Sequence, residues 1–296
     1  MRNLISLASS GFTATVSKRG AELQSLVDGE GRDLLWHGDP RYWKGRAPIL
    51  FPVIGTLHNG GYRLDGRHYD MPKHGFARDR LFEVAQHQPG AATFTLRDDA
   101  ETRALYPFAF VLEVHFVLQD SELSITATVR NTGEDAMPFS FGFHPAFRWP
   151  LPFDAPRSAY RIRFGKRETV PLRRIDAEGF LRPESLPTPI ADSILTPDDR
   201  QFEEDAMIFS GVESRFVRYG APGQPALDVA FPDMDVLGIW TKPGAPFLCI
   251  EPWSGISEPQ NWEGDFREKP GSQLLAPGAD RRFTMSIAQQ DDFDAD

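Results

Sequence analysis

The 296-residue sequence predicts an all-β protein, a sandwich or a barrel, on three observations. Apolar and polar residues alternate with period two through most of the chain. Gly and Pro reach 25 residues each, and Phe, at 23 residues, far exceeds Trp and Tyr at 6 each. Alternation marks strands with one buried face, Gly and Pro punctuate turns, and aromatic rings pack well on a pleated surface. No segment sustains the 3.6-residue repeat of a long helix.

The elements follow in order. In 12–18, Phe12, Ala14 and Val16 alternate with Thr13, Thr15 and Ser17, and strands are expected next at 21–27 and 33–36. Asp65-Gly66, between Tyr62-Arg63-Leu64 and Arg67-His68-Tyr69, is the dipeptide of a tight hairpin turn. Pro89-Gly90 parts 81–87 from 92–97 in the same way. Leu112, Val114, Phe116 and Leu118 share one face. After the polar turn 119–122, so do Leu123, Ile125, Ala127 and Val129, which predicts an antiparallel hairpin with one buried side. Further strands are expected at 138–143, 160–164, 214–219, 226–231, 235–241, 246–251 and 281–288. The segment 166–203, rich in Pro, Asp and Arg, reads as long surface loops, and the acidic residues at about 290–296 as a frayed tail. No composition shift divides the chain, so 1–296 is expected to be a single β-sandwich domain.

Composition narrows the function. Acidic residues outnumber basic ones by 10, which argues against nucleic acid as a partner. No run approaches the ~18 apolar residues of a membrane span. The start, MRNLISLASSGF, lacks the apolar core of a signal peptide, and a lone Cys249 suits a reducing compartment, so a cytoplasmic protein is expected. There is no GxGxxG, Walker loop, GxSxG or HExxH, hence no cofactor is expected. Two His and one Glu could in principle bind zinc, but no ligand pair has tight helical spacing, so no metal is expected.

Three segments carry candidate chemistry. In 71–79, Pro72 and Gly75 bracket His74 in a turn. The neighbouring Lys73 and Arg78 would keep its imidazole neutral; the alternative is a solvated surface turn. In 139–147, Phe139, Phe141 and Phe143 fall on one face and Ser140, Gly142 and His144 on the other. The small residues leave room for a ligand ring beside His144, and Pro145 predicts a strand end that puts His144 at a sheet edge or rim; the alternative is a hydrogen-bonded core histidine. In 247–253, Glu251 ends an apolar strand before Pro252 and Trp253. A buried carboxylate there would have a raised pKa and serve as a base; the alternative is a structural ion pair with Arg46 or Arg78. Trp43, Trp240 and Trp253 could cover the apolar face of a sugar ring.

With Pro48-Ile49-Leu50-Phe51-Pro52-Val53-Ile54-Gly55 and Tyr106-Pro107-Phe108, these segments come in an order that resembles the aldose 1-epimerase (galactose mutarotase-like) superfamily, in its LacX-like branch. The resemblance runs roughly from residue 10 to 288. It implies a large antiparallel β-sandwich, the galactose mutarotase-like supersandwich. It also implies cofactor-free interconversion of the α and β anomers of a hexose by ring opening and closure. By motif, Glu251 matches the base that takes the proton of the C1 hydroxyl and His144 the acid that protonates the ring oxygen. His74 matches the second histidine near that oxygen, and Asp205 an aspartate that holds sugar hydroxyls. Where the family carries an Arg soon after this strand, the chain has Gly55-Thr56-Leu57-His58, so Arg46 or Arg78 would supply the cation or the substrate would differ. Two other functions fit the same residues: a sugar-binding or sugar-sensing protein without turnover, and an epimerase of a phosphorylated hexose with Lys73, Arg78 and Arg46 on the phosphate. The expected partner is a small sugar, with the protein a monomer or a homodimer.

Overall fold

The computed structural model describes residues 3–295. Strands dominate, and every pairing between extended strands is antiparallel. The expected hairpin forms from Phe110–Gln119 and Glu122–Asn131, with Ile125 opposite Phe116 and Ala127 opposite Val114. It lies within a nine-stranded sheet that also holds Asp280–Gln290 and Ala226–Ala230. A seven-stranded sheet is built around Phe247–Ser254, flanked by Val236–Trp240 on one side and by Phe141–Phe143 and Ala146–Arg148 on the other.

The two sheets face each other through aromatic rings. Phe141 stacks on Phe283 with centroids 4.9 Å apart, Phe164 meets Phe209 at 6.3 Å, and Phe147 meets Tyr219 at 6.3 Å. Leu248 and Ile250 point into this shared core. The period-two geometry then sends Phe247, Cys249, Glu251 and Trp253 to the opposite face of the seven-stranded sheet. Loops cover that face as well, so all eight residues of Phe247–Ser254 are buried.

Four expectations need correction. Segment 33–36 forms only isolated bridges, Asp33 to Val27 and Leu35 to Phe147. Segment 138–143 splits at Ser140: Met137–Phe139 pairs with Gln273–Leu275, whereas Phe141–Phe143 joins the seven-stranded sheet. The apolar positions inside 166–203 anchor it to the body of the protein: Leu172, Ile175, Phe180, Leu181 and Leu195 are buried, and Phe180 stacks on His58 at 3.9 Å. The acidic end is docked through 295. Phe293 is buried with the Arg163 guanidinium 4.6 Å above its ring, and Asp294 pairs with Arg163 at 3.1 Å. Position 296 lies outside the described residues. A short helix, Ala100–Leu105, also forms without an apolar repeat. Its start is held by reciprocal hydrogen bonds between Asp99 and Thr102, a local device that periodicity does not register.

Candidate active site

Strand register brings the chemistry together. Gly142 pairs with Trp253 and Ala146 with Cys249 along Phe247–Ser254. The same register, carried across the two-residue gap between the flanking strands, sets His144 opposite Glu251. Pro145 interrupts the pairing without ending it, because its carbonyl still accepts from the Ile250 N–H at 3.2 Å. His144 is therefore not at a sheet edge, since Ile49–Leu50 lies beyond Phe141–Phe143. The cross-strand pair meets with His144 Nε2 3.1 Å from Glu251 Oε2. Both side chains are buried, Glu251 at 2% and His144 at 8% exposure.

Burial decides their protonation. Desolvation pushes the Glu251 carboxyl well above the usual carboxylate range, and the nearby Asp205 charge adds to it. Desolvation drives His144 down to about 3, with Arg78 and Lys73 contributing. Both shifts favour neutral forms, so in the empty cavity Glu251 keeps its proton and shares it with an imidazole acceptor.

His74 stands at the other wall, its ring nearly perpendicular to His144 with centroids 5.9 Å apart. Its backbone is in the left-handed region, φ 67°, which is strained for a non-glycine residue. Gly75, at φ 76°, continues the turn, and a Cβ there would lie 2.1 Å from the Phe51 carbonyl. A double clasp to Gly55 holds the residue: His74 N–H donates to the Gly55 carbonyl at 2.9 Å, and Gly55 N–H donates to His74 Nδ1 at 3.1 Å. An accepting Nδ1 on a neutral ring leaves the proton on Nε2. Burial, the neighbouring His144, and the Lys73 and Arg78 charges all keep the ring neutral.

The cavity between these groups has a volume of about 300 Å³, and Trp43, Lys73, Arg78, Asp205, Trp240 and Trp253 help line it. Trp43 stacks on His144 at 4.9 Å, with Trp240 edge-on to both rings. The space that Gly142 was expected to leave for a ligand is occupied by Trp253: a Cβ on Gly142 would come within 2.6 Å of the indole, and one on Gly238 within 2.8 Å. Two glycines, one on each of the strands flanking Phe247–Ser254, thus seat the cavity floor, and Gly238, inside Val236–Trp240, is the one the sequence reading missed. A glycine inside a strand is the available signal of such close approach. Ile175, Ile208 and Ser257 also line the cavity and carried no sequence signal.

Asp205 lies at the rim with φ 63°, one carboxylate oxygen accepting from the Ala206 N–H at 2.7 Å. Arg78 is in the wall, its guanidinium donating to the Lys73 carbonyl at 2.6 Å. Arg46 is not brought to the cavity. Its guanidinium donates to the Gln24 carbonyl at 2.5 Å, and its own N–H to Glu22. Neither arginine pairs with Glu251, whose partner is His144.

Two buried ring nitrogens in this site, His144 Nδ1 and Trp253 Nε1, have no hydrogen-bond partner among the described residues. Cys249 lies beside the pair, with ligand atoms of His144, Cys249 and Glu251 all within 4.8 Å of one another.

The chain is similar to known proteins over nearly its whole length. The family described as Aldose 1-epimerase matches residues 3–288. The chromosomal Protein LacX of Lactococcus lactis subsp. lactis is 31% identical over 284 residues, covering 92% of this chain and 95% of its own length. The crystal structure of a galactose mutarotase-like protein from Lactobacillus casei superposes with a TM-score of 0.89 at 31% identity, covering 97% of this chain and all of the other. A galactose mutarotase related enzyme from Lactobacillus acidophilus gives 0.90 at 29%, with 98% of each chain covered. The antiparallel sandwich and these matches lead to one conclusion: the chain belongs to the aldose 1-epimerase family.

Proposed function

We propose that the protein is an aldose 1-epimerase that interconverts the anomers of a hexose without a cofactor. The observation that carries this reading is the cross-strand pair: a carboxyl and an imidazole 3.1 Å apart, both buried in the wall of one cavity. Anomer exchange removes a proton from O1 and delivers one to O5, and both oxygens are attached to C1. The acid and the base must therefore be neighbours. Glu251 passes its proton to His144 and becomes the base that takes the O1 proton. His144, now charged, protonates O5 as the C1–O5 bond breaks. Rotation about C1–C2 presents the other face of the aldehyde, and the same steps in reverse close the ring.

One shared proton serves both directions, because the pair starts and ends with the same net charge. His74 Nε2–H is the donor that holds the ring oxygen, and being neutral it adds no charge to repel the His144 cation. Trp43 and Trp253 cover the sugar face, and Asp205 binds hydroxyls. The lone buried thiol fits a reducing cytosol. No helix among the described residues is long and apolar enough to cross a membrane.

A second reading rests on Lys73 and Arg78 at one wall of the cavity: a phosphorylated hexose as substrate. The test is a polarimetric and exchange-NMR panel of glucose, galactose and their 6-phosphates. Acceleration of a free hexose supports the first reading, and acceleration of the phosphates alone selects the second. Calorimetric binding of a sugar without acceleration would make the protein a sugar binder and overturn both.

A further inference from the structure

We propose that the catalytic cavity contains a binding site for a soft divalent cation, formed by His144, Cys249 and Glu251, and that occupancy by zinc or cadmium blocks sugar turnover. Cys249 and Glu251 belong to the strand Phe247–Ser254, and His144 to the two-residue gap between the strands paired with it. Cys249 and Glu251 are two positions apart on the same face of Phe247–Ser254, and Ala146, two positions after His144, pairs with Cys249. Their ligand atoms lie within 4.8 Å of one another, and all three residues are buried. The 3.1 Å separation of His144 Nε2 and Glu251 Oε2 is close to the span of two ligands each about 2.1 Å from a shared ion. Thiolate, imidazole and carboxylate together favour zinc-like ions over calcium or magnesium.

Entry is open from the side that matters. His144 and Glu251 line the cavity, so an ion reaches them by the path of the sugar, and Cys249, fully buried and outside the cavity lining, is reached past that pair. Cys249 has no role in the proton transfers of anomer exchange, yet it is the only cysteine in the chain and lies against the reacting pair. On coordination the sulfur lone pair forms the metal bond, and two protons leave to solvent, that of the thiol and the one Glu251 shares with His144, with no change of oxidation state. The ion also occupies the carboxylate oxygen and the imidazole nitrogen that move the substrate proton. Metal and sugar therefore exclude each other.

The test titrates the full chain, freed of metal, with cadmium chloride and follows the sulfur-to-cadmium charge-transfer absorbance. With a single cysteine, any such band reports Cys249. The expected result is a saturable one-equivalent band that is lost in Cys249→Ser and Cys249→Ala and reduced by excess galactose or glucose. His144→Ala should weaken cadmium binding at least ~10-fold. In the polarimetric assay zinc should inhibit the natural chain, and either cysteine variant, its rate without metal unchanged, should need at least ~10-fold more zinc. Absence of the band in the natural chain, or a band of undiminished affinity in His144→Ala, overturns the site; equal zinc inhibition with and without Cys249 does the same. The spectroscopic arm does not require turnover, so failure of the epimerase reading and failure of the metal site are seen separately. Two substitutions at Cys249 guard against one that fails to fold.

Discussion

The hairpin Phe110–Gln119/Glu122–Asn131 and the strand Phe247–Ser254 use the same backbone geometry for opposite ends. In the hairpin, buried positions alternate with half-buried or exposed ones, so one face packs and the other meets water. In Phe247–Ser254 both faces are buried, one in the sandwich core and the other under the loops that roof the cavity. The hairpin has ten residues in each strand in continuous register. On one side of Glu251 the neighbouring strands are three-residue pieces with a gap between them, while on the other Val236–Trp240 pairs without a break. The nine-stranded sheet thus carries the long unbroken pairings. The broken pairing of the other sheet frees one side chain, His144, to turn toward the carboxylate across from it. Long pairing and chemistry are divided between the two sheets, and four measurements can break or sharpen that division.

The largest effect is expected at the pair itself. Glu251→Gln keeps the shape but removes the proton acceptor, and should slow anomer exchange by at least ~10²-fold while leaving the thermal unfolding transition in place. An unchanged rate would take Glu251 out of the mechanism. Next comes the hairpin: Leu112 is fully buried and does not line the cavity, so Leu112→Ala should cost about 2–5 kcal/mol in denaturant unfolding with the rate per folded molecule unchanged. If that variant slowed catalysis tenfold, the two sheets would not be separable in this way.

Gly142→Ala tests the floor. The added Cβ would stand 2.6 Å from the Trp253 indole, so the ring must move at a cost of about 1–3 kcal/mol, with weaker sugar binding measurable by calorimetry. Native-like affinity would show that the indole's seat does not matter.

The smallest effect is the slope of stability with pH, at most about 1.4 kcal/mol per pH unit for one proton. His144 titrates near 3 in the fold against an ordinary value of 6.5. Between those values the unfolded chain binds a proton that the folded chain refuses. Stability is therefore lost as pH falls from 6.5 toward 3, and His144→Asn should flatten that limb in urea titrations. Glu251 is raised above 4.5, so the sign reverses: its contribution is present below 4.5 and lost as pH rises above it, and Glu251→Gln should flatten that side. Parallel curves for the variants and the natural chain would contradict the buried, neutral pair.

Much of the hairpin sheet was legible because its reason is local. A strand with one wet face must alternate, and 111–118 and 123–129 do so visibly. Segment 138–143 was harder, since Ser140 carries no mark that the chain leaves one sheet there for another. The apolar anchors in 166–203 and Phe293 in the acidic end were hidden by polar neighbours, because composition averages over the single residues that dock. At the site, the motifs identified Glu251, His144 and His74, and family membership then followed from the whole chain. Arg46 was as reasonable a cation as Arg78 on paper. Only the direction of each side chain separates them, toward the Gln24 carbonyl in one case and into the cavity wall in the other.

The sequence by itself determined the β class, most strand positions, the family and the residue types able to move a proton, because each is written in periodicity or in short contiguous motifs. The tertiary structure alone decided that His144 faces Glu251, that Cys249 lies beside them, and that Trp253 rests on glycines of two neighbouring strands. Those facts depend on inter-strand register, which is set by packing between segments about a hundred residues apart, and no local stretch of chain encodes it.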